Sequence, residues 1–144
     1  MEYQIGKQGR IFLCKLSTGE DLIDSITKLA EKENIKAAFL HILGAIEKGK
    51  VVVGPRVDEL PPIPIYKNID RSHELIGIGT IFYKEGKPML HIHAAFGRND
   101  AVTVGCLRDI GKTFVLLEVI IIEIEGIFAE RAFDPQSHMY LLKL

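Results

Sequence analysis

Residues 74–96 read ELIGIGTIFYKEGKPMLHIHAAF, from Glu74 to Phe96. Two β-prone runs, Glu74–Tyr83 and Lys87–Phe96, flank Lys84-Glu85-Gly86, a short polar connection ending in glycine that predicts a hairpin. A hairpin is antiparallel by construction, because parallel neighbours need a crossover of about a dozen residues or more. The later segments are also joined by short connections, so the sheet growing outward from this hairpin is expected to be largely antiparallel. Thr113–Ile124 is a long β-rich run, and Met139–Leu144 closes the chain as a last strand.

Towards the N-terminus, Arg10–Leu16 reads as a short strand. Ser17-Thr18-Gly19-Glu20 follows with Ser17 and Glu20 at capping-box spacing. Leu22, Ile23, Ile26, Leu29 and Ala30 then recur at helical intervals, which predicts one amphipathic helix over Gly19–Glu33. Its acids (Glu20, Asp21, Asp24) lie early and its lysines (Lys28, Lys32) late, as the helix dipole favours. Ala37–Ile46 is apolar with little alternation, as in a strand covered on both faces, and Gly44 within it marks a bulge or a close backbone approach. Lys50–Gly54 is another short strand. Pro55–Pro64 holds four prolines and is expected to be a loop, since each removes a ladder donor. The expectation is therefore an α+β fold: a mixed, mostly antiparallel sheet of about seven strands with one main N-terminal helix. Nothing divides residues 1–144 into two domains.

Composition narrows the function classes. The 144 residues are 47% hydrophobic and 26% charged, with a net charge of −1. No overall positive field draws such a chain onto nucleic acid or anionic lipid. The mean hydropathy of +0.16 is high for a small monomer, which points to surface buried between subunits. No run reaches the ~18 uninterrupted apolar residues of a membrane helix, and the first residues lack the apolar core of a signal peptide. Two cysteines, Cys14 and Cys106, make no disulfide framework, so a reducing cytoplasm is the expected location. Abundant Ile, Lys and Glu with scarce Asn, Gln and no Trp give a thermophile-like composition.

Chemistry concentrates in few places. In a strand, residues two apart share a face, so His91 and His93 can aim both imidazoles at one point. They are either a pair of metal ligands or two histidines of a half-buried sheet face. Cys106 lies thirteen residues on, past the turn-like Gly97-Arg98-Asn99-Asp100, and is either a third ligand or a small buried hydrophobe. Two nitrogens, one thiolate and an open fourth position suit zinc rather than magnesium or calcium. His41 and His73 can approach this place, while His138, after Pro135-Gln136-Ser137, reads as a loop residue. Glu130-Arg131-Ala132-Phe133-Asp134-Pro135 is a second polar group, in which Arg131 can pair with Glu130 or Asp134, or with an acid of another subunit. Lys48, Lys50 and Arg56 are followed by Asp58 and Glu59 and read as a solvated face. Gly77-Ile78-Gly79 lacks the third glycine of a dinucleotide fingerprint, and no P-loop or nucleophile elbow occurs.

Taken in order, Gly19-Glu20-Asp21-Leu22, Leu43-Gly44-Ala45-Ile46, Leu90-His91-Ile92-His93, Val104-Gly105-Cys106-Leu107 and Glu130-Arg131-Ala132-Phe133-Asp134 make the chain resemble the plant- and prokaryote-conserved (PPC) domain over nearly its whole length. That resemblance implies a mixed, mostly antiparallel seven-stranded sheet assembled as a homotrimer. Plant members carry the domain behind AT-hook segments and act on chromatin; free-standing prokaryotic members carry a DNA-binding label. This chain has no Arg-Gly-Arg-Pro hook. Many prokaryotic members are similar in carrying HxH on one strand and a third histidine in a following Gly-Gly-His-Leu. His91 and His93 match the pair, Cys106 stands at the third position, and Val104 replaces the first glycine. The fold also resembles that of acetolactate decarboxylase, a zinc enzyme.

Two functions follow as expectations. The first is a homotrimeric DNA-associated or regulatory binding protein with a His91/His93/Cys106 metal site. The alternative is a zinc-dependent enzyme acting on a small oxo- or hydroxy-acid, with Glu130 or Asp134 as proton carrier and Arg131 anchoring a carboxylate. A third role, a closed structural zinc that fixes the sheet, predicts a large loss of stability in chelator.

Overall fold

The computed structural model describes residues 1–144, and its helix α1 (Leu22–Lys32) begins at Asp21 rather than at Ser17. The Asp21 carboxylate accepts from the Ile23 and Asp24 N–H groups at 3.0 and 3.1 Å, satisfying donors that the first turn leaves free. Its other oxygen accepts from the Gly111 N–H at 3.1 Å, so the same side chain ties the helix start to the sheet. Glu20 does reach back to the Ser17 N–H, at 2.6 Å, but this closes the turn out of the preceding strand, not the helix. The far end is a Schellman motif. Asn34 takes a left-handed φ of 55°, its N–H bonds Glu31, and the Ile35 N–H reaches the Ala30 carbonyl at 2.9 Å.

Eight strands form one sheet: β1 (Lys7–Ser17), β2 (Ala37–Pro55), β3 (Pro64–Ile69), β4 (His73–Lys84), β5 (Lys87–Arg98), β6 (Ala101–Glu125), β7 (Glu130–Asp134) and β8 (Met139–Lys143). The predicted hairpin is β4–β5, turning through Glu85 and Gly86, both at positive φ as a two-residue primed turn requires. Every pairing is antiparallel except the single parallel step of β7 on β4, at Tyr83 and Glu130. The expected strands over 37–46 and 50–54 are one continuous β2, bent by bulges rather than broken. β6 is likewise twice the expected run and includes Cys106. The proline-rich segment ends in β3, whose two faces are mostly solvated and whose Pro64 sits at the strand's first position, where a missing N–H costs little. Glu130–Asp134, the second polar group, is a strand.

Because β2 and β6 are long and bent, each pairs with different neighbours along its length. One half of β2 lies between β4 and β6, while its other half lies between β6 and β3. The sheet therefore closes on itself through β2, β4, β5 and β6. The inner face carries Leu40, Ile42, Leu75, Ile81, Ile92, Phe96, Leu117, Val119 and Ile121, packed on Leu22, Ile26 and Ala30 of the helix. The outer face is apolar too, and most of it is uncovered. One cross-strand row runs Leu13, Ile120, His41, Ile78, His93, Cys106 in register, and Ile76 and Val104 flank it. Leu13, Ile78, Ile76 and Val104 are 78, 53, 65 and 63% exposed, far above what a closed apolar face leaves to water. No helix is long and apolar enough to cross a membrane.

Candidate metal centre

His91 and His93 project from the outer face of β5, as their spacing predicts. Cys106 faces His93 directly across the β5–β6 ladder, brought there by the Asn99–Asp100 reversal. The two imidazole Nε2 atoms are 3.1 Å apart, with ring planes at 77°. The three ligand atoms lie within 4.8 Å of one another. Ligands bound to one tetrahedral zinc stand about 3.3–3.8 Å apart, given bonds of about 2.0–2.3 Å. The nitrogens are already near that spacing, and no pair among the three ligand atoms is separated by more than 4.8 Å. The residues present fit the ion.

The chemistry of the donors fits as well. Burial pushes His91 down to about 4, with the Arg131, His93 and Arg108 charges adding to it, so near neutral pH its ring keeps a lone pair. Burial pushes the Cys106 thiol up, against a pull the other way from Arg108 and Arg131. Its sulfur has only a 3.9 Å contact to its neighbour's carbonyl. Gly105 lets β2 come close here, because a Cβ at this position would run into the Val52 carbonyl. His93 is exposed, His91 half-buried and Cys106 buried.

The other sequence candidates separate. His41 shares the cross-strand row but lies two strands from His93, on the far side of Ile78. His73 bonds the Arg71 carbonyl, and His138 stacks on Phe133 in the last turn. Asp134 is held by the Ser137 hydroxyl and N–H, which keep its carboxyl below the usual range. Glu130 lines a different depression, with Lys36, Tyr83 and Lys143. Arg131 alone of that group reaches the centre. It pairs with neither expected acid; it donates to the Thr80 hydroxyl at 3.0 Å and stacks over Phe82. The β7–β8 hairpin thus covers one end of the outer face, leaving a pocket of about 550 Å³ whose lining includes His91, Arg131 and Arg108. Arg108 was not singled out by spacing, although it lies two residues after Cys106 on the same strand face.

A family profile described as the Plants and Prokaryotes Conserved (PCC) domain matches residues 3–125. Among solved structures, a metal-containing protein from Archaeoglobus fulgidus superposes with a TM-score of 0.88 at 28% identity, over 100% of both chains. A plant- and prokaryote-conserved protein from Pyrococcus horikoshii gives 0.85 at 26%, over 100% of this chain and 99% of that one. A "Putative DNA-binding protein" from Ralstonia eutropha JMP134 gives 0.77 at 22%, over 92% and 90%, a likeness of fold. No curated protein matches the sequence.

Proposed function

The chain belongs to the Plants and Prokaryotes Conserved domain family, and on that premise we propose that it is a homotrimeric binding protein whose working centre is zinc held by His91, His93 and Cys106. The observation that carries this reading is the convergence of three zinc-type ligand atoms within 4.8 Å on two paired strands. The metal-containing relative from Archaeoglobus, alike over its full length, supports it. Zinc bound there supplies a Lewis acid with one coordination position open to an oxygen ligand. Binding fits better than proton-transfer catalysis. Neither proposed proton carrier stands at the centre: Glu130 lines another depression and Asp134 is engaged by Ser137. Elemental analysis of protein purified without tag or added metal tests the reading. About one zinc per chain supports it, and protein that stays metal-free in micromolar zinc ends it.

The uncovered outer face supports association of copies, and the number three comes from the family resemblance. An apolar row this exposed is stabilised by contact with a second copy. Ile78→Glu puts a charge at the middle of that row while leaving the inner core untouched. Light scattering is expected to read about three times the 16.1 kDa chain for the parent and one chain for the variant, with unchanged far-UV circular dichroism. A parent that runs as a monomer would remove the trimer from the proposal.

DNA association is the second reading, favoured by the name carried by the Ralstonia protein of the same fold. The chain's charge works against it: the net value is −1, and Lys50 is engaged by Asp109 at 3.2 Å.

A further inference from the structure

We propose that Arg131 and Arg108 form the recognition end of a pocket for a small carboxylate with an apolar body, held beside the zinc ligands. This deepens the metal-centre reading by naming the class of molecule that the centre receives. It begins from an unbalanced charge. Arg131 is only 8% exposed, yet its Nε has no hydrogen-bond partner and its fork is used once, on the Thr80 hydroxyl. The five ion pairs of the chain involve neither Arg131 nor Arg108. A guanidinium taken from water without a counter-charge is costly, and one neutral hydroxyl does not offset that cost. Buried arginines are normally paired, and acids are at hand on both sides of Arg131, at Glu130 and Asp134. Asp134 nevertheless turns to Ser137, and Glu130 points into another depression. The buried cation is left for something that is not in the chain.

The pocket says what that partner is. Its walls include Phe82, Met89, Met139, Leu141 and Leu142, so the bound molecule presents an apolar surface to them. Its charged lining is cationic throughout. With zinc present the imbalance grows, since a single Cys106 thiolate neutralises only half of a divalent ion. A planar guanidinium fork matches a carboxylate with two parallel hydrogen bonds. Phosphate would meet the same fork, but the Thr80 and Tyr140 hydroxyls of the lining are already engaged, by Arg131 and Glu85, and the remaining wall is mostly apolar, which suits an organic acid better than a dianion. A volume of about 550 Å³ accommodates a small organic acid.

Calorimetric titration with benzoate, its neutral analogue benzamide and inorganic phosphate tests this, using zinc-loaded and chelator-stripped protein whose metal content and oligomeric state are measured on the same samples. Benzoate is expected to bind about 10- to 100-fold more tightly than benzamide, and Arg131→Met to remove that preference with zinc content unchanged. Arg131→Lys keeps the charge without the fork and is expected to fall between; Arg108→Gln weakens benzoate less. Ligand-free Arg131→Met is expected to melt no lower than the parent, because it removes an uncompensated buried charge. Equal binding of benzoate and benzamide, or tighter binding of phosphate, overturns the proposal. So does an Arg131→Met protein that dissociates into single chains or melts well below the parent, for the arginine's counter-ion then lies in another copy. A benzoate preference that persists in stripped protein, with no zinc taken up, would keep this pocket and discard the metal centre.

Discussion

Replacing His91 by alanine is expected to take the zinc content from about one per chain to nearly none, and to weaken zinc uptake by at least about 100-fold. The reason is that the pair acts as a clamp: with Nε2 atoms at 3.1 Å, each imidazole fixes where the other can share an ion. Cys106→Ser leaves both nitrogens but exchanges a soft thiolate for a hydroxyl that zinc accepts poorly, so it too is expected to lose the ion. His41→Ala is the control, because His41 lies in the same cross-strand row but outside the cluster. The pH dependence gives an independent check. His91, pushed down to about 4, is already neutral near pH 7 and releases no proton when zinc binds. The Cys106 thiol, raised by burial, must lose its proton on binding. Zinc affinity is therefore expected to rise about tenfold per pH unit between about pH 7 and 8, where an ordinary imidazole is already neutral, with close to one proton released per ion in that window. A flat profile, or release of two protons, would mean that the ligands are not these.

Much of this site was legible because the strand period is short-ranged. That His91 and His93 share a face needs no tertiary information, and the Glu85–Gly86 reversal is written in the residues that tolerate positive φ. The facing of His93 and Cys106 is a register property, and register is set by the Asn99–Asp100 turn and by both faces of the sheet at once. Spacing alone therefore left Cys106 open between ligand and hydrophobe. The local half of the Arg131 reading fails for a related reason. Local pairing with Glu130 or Asp134 is what sequence proximity suggests, but in a strand those residues point elsewhere, and the hairpin carries Arg131 onto Thr80 instead. The helix start shows the same limit in miniature. Ser17 and Asp21 both make good caps, and the choice fell to Asp21 because it alone also reaches Gly111, ninety residues on. β3 was hidden by its prolines, and the lengths of β2 and β6 by bulges that look like strand ends.

Gly44→Ala is expected to be the most damaging single-methyl change in the chain, costing more than about 4 kcal/mol. Gly44 holds a φ of +135°, a region that side chains with a Cβ avoid. Its missing Cβ would also run into the Leu116 carbonyl and stand 3.0 Å from the Leu117 Cα. Both obstacles are backbone, so no rotamer change relieves them. The position matters because Gly44 sits between Leu75 of β4 and Leu117 of β6, next to the bulge from which β2 swings over to β3. Relief of the clash means separating β2 from β6 at the place where the sheet closes on itself. Backbone strain of ~1–3 kcal/mol and that separation act together, against a total stability of about 5–15 kcal/mol for a domain of this size. The comparison is Gly97→Ala: Gly97 also lies in a strand, but a Cβ there meets nothing within 4 Å. Urea denaturation of the two variants should find the Gly97→Ala unfolding free energy within about 0.5 kcal/mol of the parent, with Gly44→Ala unfolded or nearly so. A Gly44→Ala loss below about 1 kcal/mol would mean that β2 and β6 part easily, and that the closure of the sheet contributes little to holding the outer face, and the proposed zinc ligands on it, in shape.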